Sequence, residues 1–262
     1  MSAAGALQAT YGPQGDPFAA FVRFLMLAEG PTDGTLTNPV TTGTLTKDEV
    51  SGNRMGLGNA PYTIGSTVSA STSGMPFGTS WIRHPGGRDS DNFIGCVLPG
   101  LYHPRQTTMT WDGWFQVDNL TDTVCLFGDD SSFGGAPYNF FVAVGAAGQV
   151  GFNIRTGIVS SGTAMNLSTP GSLVTPNVPF HVEVWGDAAG NIGVAVDGAM
   201  TTGSCVASDI GTSSFLLGCQ NPYFAGSAKR VLTGYSKCMR ITEAVRHTGD
   251  FTPPASLLAY RL

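Results

Sequence analysis

The residues in this chain best able to do chemistry are its acids and histidines, so their spacing is weighed first. Hydrolysis of a glycosidic bond takes two carboxylates at a set separation, one on either side of the bond. On a β-strand, residues two apart share a face. Among the 18 acids no triplet stands at such alternate positions. The nearest approach is Glu183 and Asp187 with Trp185 between them, in PFHVEVWGDAAG. Asp187 falls in the turn and no partner strand offers an evident third acid, so Glu183 reads as a solvent-face residue. A Ser-His-Asp relay is no better supported. There is no G-x-S-x-G, and His84, His103, His181 and His247 stand in unrelated contexts and read as surface or turn histidines. No catalytic residue is expected, and the chain is expected not to be an enzyme.

Two loops could offer oxygen ligands to calcium: Asp89 and Asp91 in GGRDSDNF, and Asp129 and Asp130 in FGDDSSFGG. Neither run matches an EF-hand loop, and solvated turn acids are the plainer reading. No metal site and no cofactor is expected. The five cysteines (Cys96, Cys125, Cys205, Cys219 and Cys238) are odd in number, widely spaced and without a CxxC pair. That pattern indicates neither a zinc site nor a complete disulfide set, and points to free buried thiols made in a reducing cytoplasm.

Binding chemistry has a clearer pattern. Trp114 shares a strand face with Asp112 and Gln116, and Trp185 shares one with His181 and Glu183. Aromatic rings stack on sugar faces while nearby polar groups bond the hydroxyls, so Trp114, Trp185, His181 and Glu183 form a candidate carbohydrate-binding set. In the competing reading these tryptophans pack in a second sheet or under a loop, because tryptophan is on average highly buried.

The elements that must position these residues are strands. Glycine at 36 and proline at 16 suit short strands and tight turns. The 42% apolar share is enough for a core. In TMTWDGWFQVDN, Trp111, Gly113, Phe115 and Val117 share one face. Phe140, Val142 and Val144 alternate likewise and continue past the turn Gly145–Gln149 into Val150, Phe152 and Ile154. Phe180, Val182 and Val184, then the turn Asp187–Asn191, then Ile192, Val194 and Val196, repeat the design. Further strands are expected at residues 21–28, 213–219 and 237–241, with short edge strands and long loops over 30–75. Hairpins with one apolar face each must pair two sheets. The fold class is therefore all-β, a two-sheet antiparallel sandwich over residues 18–262, preceded by an N-terminal arm over 1–17 that either frays or lies on a partner.

Charge narrows the partners. Only 12% of residues are charged, about half the usual share. The net charge is −5 and the 13 Lys and Arg are scattered, so no basic patch exists for nucleic acid. No apolar run approaches the about 20 residues of a membrane helix, and the first residues lack the basic start of an export signal. A weakly charged surface suits a protein packed against neighbours.

The closing stretch MRITEAVRHTGDFTPP is the most specific phrase in the chain. It resembles the C-terminal signature of concanavalin A-like, laminin-G-like jelly-roll modules of bacteriophage structural proteins, a strand ending in D-x-R-I-T followed by A-R-Y-T and F-T-P-P. Arg240, Ile241, Thr242, Val245, Arg246, Thr248, Phe251, Thr252, Pro253 and Pro254 hold the matching positions. His247 stands for the usual Tyr, and Cys238 where an acid is common. FLMLAEG, FGTSWIRHPGGRDSDNF, MTWDGWFQVDN, VAVDGAM and FLLGC resemble further strands of the module in the expected order, so the likeness spans about residues 21–258.

The resemblance implies that the closing strand completes the sheet edge left open by the first strand, and that Pro253-Pro254 stops further pairing. Glucanases of this fold carry E-x-D-x-x-E or E-x-D-x-E on one strand, which this chain lacks. The expected role is a non-enzymatic structural protein on a tailed-phage virion surface, a capsid decoration or cement protein made in the host bacterial cytoplasm. Its partners would be other virion proteins such as the major capsid protein, or copies of itself as a homo-oligomer. A repetitive or coiled-coil stalk, usual in a fibre, is not seen in the sequence. The alternative is a carbohydrate-binding tail or host-adhesion module with a glycan partner, and behind it a diverged glycosidase.

Overall fold

The computed structural model describes residues 16–26, 34–35, 69–71, 81–85, 94–97, 108–129, 140–156, 163–205, 214–218 and 231–255. Residues 1–15, His103, Asp89, Asp91 and Asp130 lie outside them. The elements in chain order are a short 3-10 turn at Ala19–Phe21, then β1 (Val22–Met26), β2 (Gly34–Thr35), β3 (Ser69–Ser71), β4 (Trp81–Pro85) and β5 (Ile94–Val97). There follow β6 (Met109–Val117), β7 (Val124–Asp129), β8 (Phe140–Val144), β9 (Val150–Thr156) and β10 (Thr163–Ser168). The chain continues with β11 (Phe180–Gly186), β12 (Asn191–Val196), β13 (Ala199–Ser204), β14 (Ser214–Leu217) and β15 (Thr233–Thr242). Among the described residues no helix is long and apolar enough to cross a membrane.

Among the described residues nine strands form one antiparallel sheet in the order β13-β12-β11-β6-β15-β4-β3-β2, with β1 also paired to β15, and six form the other, β10-β9-β8-β7-β14-β5. The result is the expected all-β sandwich. The alternation read from the sequence sets which side chains meet. Trp111, Phe115 and Val117 from β6, Val182 and Val184 from β11, and Ile192, Val194 and Val196 from β12 all point between the sheets. Phe127, Phe140, Val142, Phe152 and Ile154 come from the smaller sheet to meet them. Trp111 lies parallel to Phe127, with ring centroids 6.1 Å apart, and edge-on to Phe140 at 4.9 Å.

The expected joining of first and last strands is present. Val22 is opposite Thr242, Leu25 opposite Arg240 and Met26 opposite Met239. β15 is longer than expected and serves two partners along one side: Thr233 to Ser236 pair with β4, and Met239 to Thr242 with β1. Between the halves its register with β6 slips between Lys237 and Arg240, where Cys238 takes a positive φ of 55°. This bulge inserts one extra residue and flips the parity of the strand. Before it Ser236 lies opposite Phe115, whereas after it Met239 and Ile241 are the core residues, leaving Arg240 on the outer face.

Past β15 the described residues form no strand. Residues 243–255 run as an irregular strap across the outer face of the large sheet to the β12–β13 turn. That turn, Asp197-Gly198, has both residues at positive φ (49° and 85°), the two-residue hairpin form that Asp-Gly favours. A Cβ on Gly198 would stand 1.8 Å from the Phe251 carbonyl oxygen, so only glycine lets the strap come this close.

Candidate functional site: a covered polar face

Charged and polar side chains collect on the outer face of the large sheet, where the residues alternate with the core positions. β11 places His181 opposite Trp114, Glu183 opposite Asp112 and Trp185 opposite Thr110 on β6. β15 places Arg240 opposite Asp112 from the other side. Asp112, Glu183, His181 and Arg240 are each 1% exposed or less.

The centre is an alternating chain of charge. Arg240 donates from Nε and Nη2 to the two oxygens of Asp112, both at 3.0 Å, and from Nη1 to Asp16 Oδ2 at 2.8 Å. Asp16 also accepts from both terminal nitrogens of Arg246 at 2.9 Å and from the Phe18 amide at 2.9 Å. The Arg246 guanidinium lies over the Phe18 ring, 4.9 Å from its centroid. Burial alone would raise the Asp112 carboxyl. The Arg240 guanidinium, His181 and Arg246 together outweigh it and hold the group well below the usual carboxylate range.

Glu183 has a different partner. His247 Nδ1 sits 2.8 Å from its Oε2, and the imidazole is stacked flat on Phe251, centroids 3.9 Å apart and planes 5° from parallel. Phe251 in turn meets His181 edge-on at 5.9 Å. His181 Nε2 lies 3.6 Å from Asp112 Oδ1, too long for a hydrogen bond, and neither of its ring nitrogens has a hydrogen-bond partner. The strap is tied down by the Phe251 amide on the Gly198 carbonyl at 3.0 Å and by Asp250 Oδ1, which accepts from the Met200 amide at 2.9 Å.

The four residues read as a sugar platform are thus brought together, yet not as an open surface. His181 and Glu183 are covered, against the expectation of a solvent-face glutamate and a surface histidine. Trp185 is 4% exposed, its indole lying across β12 on Gly193, where a Cβ would meet Nε1 at 2.2 Å. Trp114 is half-buried against Val22, Leu25 and Cys238. Both tryptophans pack on the outer face of their own sheet, Trp185 on β12 and Trp114 beside β1 and the β15 bulge. His84 also departs from expectation: it is fully buried, with Nε2 2.8 Å from Ser236 Oγ. His247, with its side chain 23% exposed, is held rather than free.

The sequence reading missed Asp112 as the acid facing Glu183, and Asp16 and Arg246 as its indirect neighbours. Two carboxylates do face each other across β6 and β11, but Asp112 is neutralised by a bidentate arginine and Glu183 is engaged by a histidine. Neither has the open approach that a general acid or nucleophile needs. Among the described residues no group of three His, Cys, Asp or Glu side chains is placed to hold a metal ion. Cys125, Cys205 and Cys238 are buried.

No family model matches the chain, and no curated protein matches it in sequence. Solved structures do share its fold. The binding domain of Paraclostridial Mosquitocidal Protein 1 superposes with a TM-score of 0.58 at 10% identity, over 87% of this chain and 50% of that one. The receptor-binding domain of botulinum neurotoxin type G gives 0.53 at 10% identity, over 88% and 50%. The binding domain of botulinum neurotoxin DC, solved in complex with SialylT, gives 0.54 at 12% identity, over 86% and 48%. The chain spans about half the length of these structures, and what it shares with them is a β-sandwich.

Proposed function

We propose that this chain is a non-enzymatic jelly-roll module of a tailed-phage virion, set on the particle surface as a capsid decoration protein. The observation that carries the non-enzymatic part is the covered polar face. Its two opposed carboxylates are spent on Arg240 and His247, beneath a strap that the chain itself supplies. The virion assignment rests on the resemblance of the closing phrase to phage modules. Its matched residues make the edge-completing half of β15 and the strap, so the phrase is the part that seals the molecule. Partners in this reading are the major capsid protein and further copies of the chain.

Gold labelling of purified virions with an antibody to this protein, read by electron microscopy, tests the placement. Grains spread over the head are expected. Grains confined to the tail tip overturn the decoration reading. Turnover of mixed β-glucans that disappears in Glu183→Gln would overturn the non-enzymatic reading.

A second reading has one specific support: a fold neighbour was solved in complex with SialylT. In this reading the chain is a glycan-recognising tail or adhesion module. Trp114, Trp185, His181 and Glu183 meet a sugar only where their cover is lifted, and other surfaces would carry the contact otherwise. Retention of the whole chain on a glycan array, lost in Trp114→Ala but not in a variant of an exposed loop, is the expected result. Binding that ignores Trp114 removes these residues from the reading.

A further inference from the structure

We propose that residues 247–255 are a detachable strap, latched over the polar face by His247 on Glu183, with Arg246 as the fixed hinge. The inference needs no ligand and stands apart from either functional reading.

The contacts change character at Arg246. Up to that residue the chain is anchored to the buried centre. Thr110 Oγ1 donates to the Ala244 carbonyl at 2.7 Å and accepts from the Arg246 amide at 3.0 Å, and the Arg246 guanidinium is paired with Asp16, whose side chain is fully buried. Among the described residues beyond it no strand ladder holds the chain, and Thr248, Gly249, Asp250 and Thr252 are exposed. Three hydrogen-bonded attachments remain among the described residues: the His247–Glu183 contact, the Phe251 amide on Gly198, and Asp250 on the Met200 amide.

His247 joins these attachments. One edge of its ring bonds the buried carboxylate, and its face stacks on Phe251, which carries the second attachment. Removing the imidazole leaves Phe251 without its stacking partner and Glu183 as a buried carboxylate with no donor from the strap. A buried charge without its partner is costly, and opening to water relieves that cost. The closed state also leaves both nitrogens of His181 without hydrogen bonds beneath Phe251, which lowers the barrier to parting. Opened, the strap uncovers Glu183 and His181 while the Asp112–Arg240–Asp16–Arg246 cluster stays shut.

Site-resolved hydrogen exchange on the full chain tests this, since local openings expose amides independently of global unfolding. In the wild type, the Phe251 and Met200 amides are expected to exchange together, at least tenfold faster than the Arg246 amide and the amides of β11. In His247→Ala both should accelerate by a further tenfold or more, with Arg246 and β11 unchanged. The proposal fails if Phe251 and Met200 keep wild-type rates in that variant. It fails equally if Arg246 and β11 accelerate in parallel, because the strap is then an inseparable part of the fold. Should His247→Ala not fold, the wild-type comparison still decides, and Phe251→Ala supplies the second variant, with faster exchange expected at Met200 and at the residue-251 amide together and none at Arg246 or β11.

Discussion

At the centre of the large sheet the two faces are built from the same three strands and follow opposite rules. On the inner face, β6, β11 and β15 contribute Trp111, Phe115, Val182, Val184, Met239 and Ile241 to one apolar core. On the outer face the residues between them are Asp112, His181, Glu183 and Arg240, which are just as buried. Burial on the inner face is favourable in itself, at about 25 cal/mol per Å² of apolar surface. On the outer face it is favourable only as long as every charge keeps its partner. The inner face thus tolerates inexact packing at a graded cost, whereas the outer face is conditional on a few named pairs and on a strap that can part from them.

The largest effect should come from the inner face. Trp111→Ala removes a fully buried indole packed on Phe127 and Phe140. It should cost about 3–5 kcal/mol in urea unfolding, the range for large-to-small core substitutions. A loss below about 1 kcal/mol would mean that the two sheets can close over the gap, and that the inner face is less fixed than its packing suggests.

The outer face should break in a different way. Asp112→Asn leaves Arg240 buried with half its charge uncompensated, and should cost about 3 kcal/mol. The paired change Asp112→Leu with Arg240→Met should recover most of that loss, because an apolar pair of similar volume needs no partner. No such rescue is open to Trp111. The pH dependence has a definite sign. The native Asp112 carboxyl is held below its unfolded value of about 3.9. Its stabilisation is therefore complete above that value and is lost as pH falls through the depressed native value. The gap between wild type and Asp112→Asn should be full at neutral pH and narrow only in strong acid. A gap that closes already at pH 6 would show that some other group carries it.

The inner face was legible in the sequence for the same reason that it is tolerant. Its signal is local alternation, as in Phe180-His181-Val182-Glu183-Val184, and each hairpin can be read by itself. The outer face was not legible, because its pairs join distant segments: Asp112 and Arg240 are 128 residues apart, and Asp16 and Arg246 are 230 apart. Pairing them needs the strand order and the register of β15, and that register depends on the bulge at Cys238. A trace of the bulge does exist in the sequence. Core residues fall at even positions at Leu232 and at odd positions at Met239 and Ile241, so the parity must change between them. The closing phrase was recognised as structural, but its role as a cover depends on where Gly198 lies, which no local pattern gives.

A smaller effect tests whether Trp185 belongs to the packed layer or stands ready for a ligand. Gly193→Ala places a methyl group within 2.2 Å of the indole nitrogen, so the ring must move. Overpacking of this kind costs roughly 1–3 kcal/mol. If Trp185 is packing, the variant should lose stability and its tryptophan emission should shift to the red. An unchanged melting curve with altered emission would instead describe a ring free to swing out, which would sharpen the glycan reading.

The smallest effect contrasts two ties between the same two segments. Beside the buried pairing of Asp16 with Arg246, the N-terminal segment and the start of the strap are joined at the surface by Arg23 and Glu243, whose side chains are 40% and 42% exposed. The exposed pair is attractive in water of high dielectric and screened by salt, and such pairs contribute about 0–1 kcal/mol. Glu243→Ala should therefore cost no more than about 0.5 kcal/mol, and less still at 1 M salt. Asp16→Ala, which leaves Arg246 without its carboxylate and Arg240 with one partner of two, should cost several times as much at either salt concentration. Equal losses would mean that water reaches the Asp16 cluster as freely as it reaches Glu243, and the outer face would then be a solvated surface rather than a second, conditional interior.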